Sequence, residues 1–279
     1  MMAGLKPAHE KPARSVRPAA AAGRFYPADP TRIVSMVDGF LREATRRLDG
    51  HGEPPSAIVV PHAGYQYSGR VAASAYAFAL NPTPRPSIQR VVILGPAHFV
   101  PLDGYAVPLA DAWRTPLGEV AVDVDARSAA RAAGATADEV PHEGEHSLEV
   151  QLPFLQRALE QRFTVLPVAV GRSDAADVAD VIEAVSDLPS TLVVVSTDLS
   201  HYHCDEVARR LDERTARAVV GGQPEEIGPD AACGRWALLG LLEHVRRRGS
   251  KVRLLDLRTS ADSSGDRRSV VGYAAFAVL

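Results

Sequence analysis

The sequence predicts a single α/β domain in which helices cover both faces of a central β-sheet. Short apolar runs rich in β-branched residues recur along the chain and alternate with stretches of helical periodicity. Most of these runs lack the polar alternation of a half-exposed strand, which favours strands buried on both faces. The chain has 279 residues, of which 46% are hydrophobic and 23% charged, so it is long enough to bury one substantial core.

Each element has a local reason. Asp29 and Pro30 are typical of a helix start, because Asp caps the helix and Pro suits its first position; this helix is expected to end near Gly50. The apolar runs predict strands at 57–60, 90–94, 104–109, 118–122, 163–170, 192–196, 252–258 and 269–278. Helical periodicity predicts helices near 68–80, 123–133, 174–186, 205–220 and 233–248, and one from Ser147 to about Gln161. Residues 1–22 are predicted to be a disordered N-terminal extension, and the folded domain is expected over 23–279.

Composition argues against several classes of function. The formal net charge is −3, with both signs mixed along the chain, so no basic field indicates nucleic-acid binding. No run of 18 apolar residues predicts a membrane span, and no glycine-rich phosphate loop predicts a nucleotide cofactor. The two cysteines, Cys204 and Cys233, form no disulfide framework, so we expect a cytoplasmic protein.

Histidines follow three of the predicted strands. His62, His98 and His201 each come within a few residues of a strand's carboxyl end. Open α/β sheets bind ligands just outside this edge, and His is both the commonest metal ligand and a group that titrates near neutral pH. If the first two strands are neighbours, their tips lie about 5 Å apart, which lets His62 and His98 share a metal ion. The pattern therefore predicts a metal or acid–base site.

Further candidates surround these histidines in the sequence. Asp198 is a candidate for a ligand, an orienting partner or a helix cap, and His201 for a general acid or base. Cys233 begins an apolar helix, where it is either a stabilised thiolate that binds metal or an inert buried cysteine. Glu145 and His146 lie just before a predicted helix, and they are either part of a site or a capping and orienting loop.

Taken in order, these motifs resemble the Memo family, whose bacterial and archaeal members are often called AmmeMemoRadiSam system protein B. The resemblance covers residues 23–279 and is carried by the segments 23–27 (GRFYP), 61–65 (PHAGY), 94–98 (LGPAH), 145–149 (EHSLE), 196–202 (STDLSHY) and 233–235 (CGR). It implies a fold like that of the class III extradiol ring-cleaving dioxygenases, which are non-haem iron(II) enzymes. It also implies that His62, His98 and Cys233 are the metal ligands and that His201 is the catalytic base.

The resulting hypothesis is a metal-dependent oxidoreductase that uses iron(II), with copper or zinc as alternatives. In it, Asp198 and His146 orient the ligands, and Glu145, Tyr65 and Phe25 belong to the surrounding pocket. Two other functions stay open: a non-catalytic module that binds a peptide or protein on a vestigial dioxygenase fold, and a zinc hydrolase. The expected partner is a small molecule or a peptide. The family name adds radical-SAM and Amme-type proteins as possible companions by genomic analogy.

Overall fold

The computed structural model describes residues 14–48, 54–80, 87–159 and 162–279. Its strands are β1 (Val16–Arg17), β2 (Ala57–Val60), β3 (Arg90–Pro96), β4 (Tyr105–Val107), β5 (Ala112–Thr115), β6 (Gly118–Ala121), β7 (Thr136–Ala137), β8 (Thr164–Val170), β9 (Thr191–Ser196), β10 (His201–His203), β11 (Val252–Thr259) and β12 (Val270–Val278). Its helices are α1 (Pro30–Thr45), α2 (Tyr65–Leu80), α3 (Val124–Ala132), α4 (His146–Glu149), α5 (Leu152–Ala158), α6 (Ala175–Ser186), α7 (Asp205–Gly221), α8 (Arg235–Arg248) and α9 (Ala261–Ser264). Short 3₁₀ turns span Val140–His142 and Pro224–Glu226.

Within the described ranges, nine of these strands form the central sheet, in the order β10-β12-β2-β9-β3-β8-β4-β7 with β11 also paired to β12. Strands β2, β9, β3 and β8 run parallel to one another, whereas β12 and β4 flank them in antiparallel pairing. A smaller sheet joins β1, β5 and β6. The prediction of an α/β domain built on a central sheet with helices is confirmed.

The four parallel strands are buried along nearly their whole length, as expected for strands covered on both faces. Helix α2 packs against α1, α5 and strand β2, whereas α8 packs against α6 and strands β3 and β9. The predicted start of α1 is confirmed: the Asp29 side chain accepts a hydrogen bond from the Arg32 backbone N–H, and Pro30 opens the helix. The buried sheet thus positions the candidate residues that follow its strand ends.

The strand order corrects one expectation about the site. Strands β2 and β3 are not neighbours, because β9 lies between them and pairs with both. Their tips are therefore about 10 Å apart, twice the spacing of adjacent strands. Ser196, the last residue of β9, consequently lies between the loops that carry His62 and His98. The two side chains must lean toward each other across this strand to meet.

Several element boundaries also differ from the predictions. The helix predicted from Ser147 to about Gln161 is interrupted between α4 and α5, where Pro153 opens the second helix; residues 160–161 lie outside the described ranges. Strands β1, β5, β7 and β10 were missed, because strands of two to four residues carry too short a pattern and form only through their pairing partners. None of the helices in the described ranges is both long and apolar enough to cross a membrane.

The predicted disordered extension over residues 1–22 is wrong for its last part. Val16 and Arg17 pair with β5 in parallel, and the Arg17 side chain is buried. The amino-acid composition led to this wrong prediction. The run of Ala, Pro and Arg resembles a disordered tail, but it contains one arginine, Arg17, that has a buried acidic partner. Residues 1–13 lie outside the described residues. The first helix, expected to end near Gly50, already ends at Thr45, and residues 49–53 lie outside the described ranges.

Candidate metal centre

Three histidines from distant parts of the chain meet above the carboxyl ends of the parallel strands. His62 follows β2, His98 follows β3, and His146 is the first residue of α4. Each offers a ring nitrogen, and these three atoms lie within 4.8 Å of one another. The His98 and His146 rings are stacked with centroids 4.7 Å apart, and the His62 ring stands nearly perpendicular to both. The structure thus converts three separate motifs into one cluster of metal-type donors.

The hydrogen bonds of Ser196 set the tautomer of His62. The Ser196 hydroxyl donates its single proton to the Ser147 carbonyl at 2.7 Å and accepts a hydrogen bond from the Gln151 amide at 2.9 Å. Its remaining contact, 2.9 Å from His62 Nδ1, must therefore be a hydrogen bond that the imidazole donates. The proton of the neutral ring is thus on Nδ1, and Nε2 keeps the lone pair that a metal ion needs.

Glu145 orients His98 in the same way. Its carboxylate accepts hydrogen bonds from the His98 backbone N–H at 2.6 Å and from His98 Nδ1 at 2.9 Å. It also caps α4 by accepting from the Ser147 backbone N–H at 2.8 Å. Burial opposes ionisation, but these hydrogen bonds and the charge interaction with His98 outweigh it and lower the pKa of Glu145 to about 2. An ionised carboxylate only accepts, so His98 Nδ1 carries a proton and donates it to Glu145.

His146 completes the cluster with an unpartnered ring nitrogen. Its Nδ1 is buried and has no hydrogen-bond partner among the described residues, since the nearest carboxylate oxygen of Glu145 is 3.4 Å away. Phe25 stacks on the other side of the ring at a centroid distance of 4.0 Å. Burial, followed by charge repulsion from neighbouring groups, lowers the pKa values of both His62 and His146 to about 3.

Neutral imidazoles in this arrangement suit a transition-metal ion. At metal–nitrogen distances of about 2.1 Å, ligand nitrogens lie about 3–4 Å apart, so the rings need to close by only about 1 Å. Because His62 and His146 are neutral above pH 3, a metal ion has no proton to displace from either ring at neutral pH. The donor set and the unpartnered nitrogen therefore fit a bound metal.

Cys233 adjoins this cluster through His62. Its Sγ lies 3.2 Å from His62 Nε2, and because the imidazole proton is on Nδ1, the thiol is the donor in this contact. Burial and the charge of Asp198 raise the pKa of the thiol to about 12, so Cys233 is neutral in the metal-free protein. Among the described residues, the donors that lie within mutual ligand distance are His62, His98 and His146. Cys233 is not part of this group, and its role as a ligand stays a prediction.

Asp198 lies on the loop after β9, and His201 is the first residue of β10. The buried Asp198 carboxylate accepts a hydrogen bond from the His62 backbone N–H at 2.8 Å, yet burial outweighs this and raises its pKa to about 6. The partly buried His201 donates from Nδ1 to the Leu199 carbonyl at 2.7 Å, which leaves Nε2 as a proton acceptor. Both groups are thus arranged for proton transfer, and their catalytic roles stay predictions.

The remaining predicted pocket residues differ in their position. Phe25 covers His146, whereas the Tyr65 hydroxyl turns away to donate to the Val150 carbonyl at 2.5 Å. Sequence reasoning missed Ser196 and Gln151, which hold His62, because serine and glutamine carry no signal for this role. The sequence predicts that His146 orients the ligands. Its place in the same donor group could not be predicted, because His146 follows no strand.

Comparison with known proteins relates this chain to a family. The family model described as Memo-like protein matches residues 17–277. A MEMO1 family protein of Methanopyrus kandleri is 36% identical over 93% of this chain and 97% of its own length. Another, from Archaeoglobus fulgidus, is 35% identical over 91% of this chain and 95% of its own length.

One solved structure shows a similar fold. It is an uncharacterized protein from Escherichia coli K12, with a TM-score of 0.54 and 12% sequence identity. The match covers 79% of this chain and 98% of the other. At this identity the similarity shows a shared fold and carries no information about activity.

Proposed function

This chain belongs to the family of Memo-like proteins, and on that premise we propose that it is a metal-dependent oxidoreductase. The observation that supports this most is the convergence of three ring nitrogens, from His62, His98 and His146, within 4.8 Å of one another. Imidazole ligands suit iron, copper and zinc alike. Iron(II) is our first choice and copper our second, because both supply redox chemistry when bound.

The proposed ligands are the Nε2 atoms of His62 and His98, with His146 on the third side. Cys233 is proposed as a further ligand, since its Sγ is already 3.2 Å from His62 Nε2. A coordinating thiol is deprotonated, so Cys233 gives up its proton on metal binding despite its high pKa in the free protein. Glu145 holds His98 in place throughout.

Proton transfer is assigned to Asp198, on the loop after β9, and His201, at the start of β10. His201 is proposed as the general base, because its Nδ1 proton is committed to Leu199 and its Nε2 is an acceptor. Asp198 is proposed to assist, since a carboxyl group with a pKa of about 6 both binds and releases protons near neutral pH. The extradiol dioxygenase relationship, membership of the AmmeMemoRadiSam B group, and radical-SAM and Amme-type partners are part of the same proposal.

Metal analysis of anaerobically purified protein tests the assignment. We expect one iron or copper ion per chain in the wild type and almost none in a His62→Ala, His98→Ala double variant. His203→Ala is the matched control, because His203 is exposed, lies on β10 and is not in the cluster; it should retain the metal. Wild-type metal content in the double variant would refute the ligand assignment.

A zinc hydrolase is the second candidate. Three histidines with an open position are a known catalytic zinc arrangement, and a carboxyl group such as Asp198, with a pKa of about 6, could accept a proton from water. This candidate predicts that chelation abolishes an esterase or amidase activity, and that zinc restores it whereas iron(II) does not. Hydrolysis that is insensitive to the chelator eliminates it.

A peptide-binding module is the third candidate, and it is favoured by exposed aromatic side chains beside the site. Phe99 is 57% exposed next to His98, and Tyr202 is 80% exposed next to His201. Aromatic residues on a surface often contact protein partners. This candidate predicts partner binding that survives His201→Ala and is lost in a Phe99→Ala, Tyr202→Ala double variant.

A further inference from the structure

The N-terminal strand sends one arginine into the interior beside the metal centre. The Arg17 side chain is 2% exposed, and its guanidinium lies 4.0 Å from the centre of the Trp113 ring. Its Nε donates to the His142 carbonyl at 2.5 Å, and one terminal nitrogen donates to the Glu145 carbonyl at 2.8 Å. The first carbonyl ends the 3₁₀ turn Val140–His142 and the second immediately precedes α4, which carries His146.

The other terminal nitrogen of Arg17 pairs with Glu149 at 2.6 Å. The fully buried Glu149 also accepts hydrogen bonds from the Ala20 and Ala21 backbone N–H groups and from the Tyr26 hydroxyl at 2.5 Å. The segment that ends in Phe25 and Tyr26 is thereby fastened to α4 at its last residue. The N-terminal segment therefore holds both ends of the piece of chain from His142 to Glu149.

Two metal-centre groups lie inside this clamped piece. Glu145, whose carbonyl Arg17 holds, fixes His98 through its carboxylate, and the next residue is His146. The same N-terminal segment places Phe25 against the His146 ring. Two of the three histidines thus depend for their position on Arg17, which holds backbone carbonyls 125 and 128 residues further along the chain.

We propose that Arg17 and Glu149 are positioning residues of the metal centre, which set the places of Glu145 and His146 without touching the ion. This inference rests on the proposed metal site. A buried ion pair contributes little net stability, because desolvation of both charges offsets their attraction. Arginine fits this role because its planar fork contacts two carbonyls and a carboxylate at once, which lysine cannot do.

Metal titration of an Arg17→Lys variant tests the proposal. Zinc(II) is used as a redox-inert probe, at a temperature where the metal-free wild type and variant are both folded by circular dichroism. We expect the dissociation constant to rise about 10- to 100-fold, the usual effect of removing a group that supports a ligand. Arg157→Lys is the matched control, because Arg157 forms a forked pair with Asp38 at the surface; it should bind zinc as the wild type does.

The second readout is the ¹⁵N spectrum of the histidine rings in the metal-free proteins. In the wild type, Glu145 holds the His98 proton on Nδ1, and in Arg17→Lys we expect this signal to shift toward a mixture of tautomers. A variant with a lower melting temperature but wild-type zinc affinity and an unchanged His98 spectrum would show a purely structural role and overturn the proposal. If the wild type binds no metal, the proposed function fails, and the His98 spectrum alone decides the positioning role.

If Arg17→Lys does not fold, Tyr26→Phe is a second variant that tests the positioning role. It removes one hydrogen-bond donor from Glu149 and leaves the ion pair with Arg17 intact. We expect a smaller rise in the zinc dissociation constant, together with a smaller shift of the His98 signal. Wild-type values for both measurements in this folded variant would contradict the proposal.

Discussion

Glu145 and Asp198 are two buried carboxyl groups that contact different histidines of the cluster, and their pKa values shift in opposite directions. Burial raises the pKa of both. For Glu145, hydrogen bonds from His98 and Ser147 overcome burial, and the pKa falls to about 2. For Asp198, a hydrogen bond from the His62 backbone and the charge of His201 are too weak to do so, and the pKa rises to about 6.

This difference in pKa suits the two carboxyl groups to different roles. A carboxylate that stays ionised down to pH 2 is a fixed acceptor, suited to holding His98 in one tautomer. A carboxyl group that titrates near pH 6 is costly to keep charged, but it can exchange protons under physiological conditions. Environments that push the pKa values of neighbouring acids apart are a recurring way to assign their roles.

Glu145→Gln should produce the largest effect. With a folded-state pKa of about 2 against 4.5 in the unfolded chain, Glu145 contributes about 3 kcal/mol of stability above pH 4.5, and this contribution is lost as the pH falls toward 2. We expect the variant to lose about that much at pH 7 and to bind zinc about 10- to 100-fold more weakly. Urea unfolding and metal titration measure the two effects, and a variant as stable as the wild type would remove the contrast with Asp198.

Asp198→Asn should act in the opposite direction. The folded state holds the Asp198 proton up to about pH 6, whereas the unfolded chain releases it near 3.8, so the charged group destabilises the fold at neutral pH. We expect the variant to gain up to about 3 kcal/mol at pH 7, with the gain shrinking as the pH falls from 6 to 3.8. Urea unfolding at pH 7 and pH 4 checks this, and a loss of stability at pH 7 would contradict the raised pKa.

His146→Asn extends the comparison to the pH dependence of the free energy of unfolding. The folded protein keeps His146 neutral to about pH 3, but the unfolded chain binds that proton below 6.5. The metal-free wild type should therefore lose about 1.4 kcal/mol per pH unit from this residue as the pH falls from 6 toward 3. Unfolding free energies measured over this range should show a slope smaller by about that amount in the variant. An equal slope would mean that His146 is protonated in the fold.

Cys233→Ser should have the smallest effect on the metal-free protein, because the change removes one thiol contact to His62 and keeps a hydroxyl there. We expect its stability to change by less than about 1.5 kcal/mol. The cobalt(II)-loaded protein should differ more, since only the wild type can show a sulfur-to-cobalt charge-transfer band. Identical cobalt spectra would exclude Cys233 as a ligand and leave the cluster with its three histidines.

The histidines show which site residues can be predicted from local sequence patterns. His62 and His98 were identified as candidates because apolar, β-branched runs end beside them, and such runs predict strands from neighbouring residues alone. His146 follows no strand, so no local pattern marked it as a member of the same group. Arg17 was assigned to a disordered tail for the same reason, because its partners Glu145 and Glu149 are more than a hundred residues away.

The sequence by itself determined the α/β class, most of the long strands and helices, and the two strand ends that carry His62 and His98, because periodicity, capping and β-branching act over a few residues. Only the tertiary structure decided that β9 lies between β2 and β3, that His146 completes the cluster, and that Glu145 and Asp198 differ in pKa. These properties depend on strand order, burial and hydrogen bonds between distant segments, which are set by the packing of the whole chain.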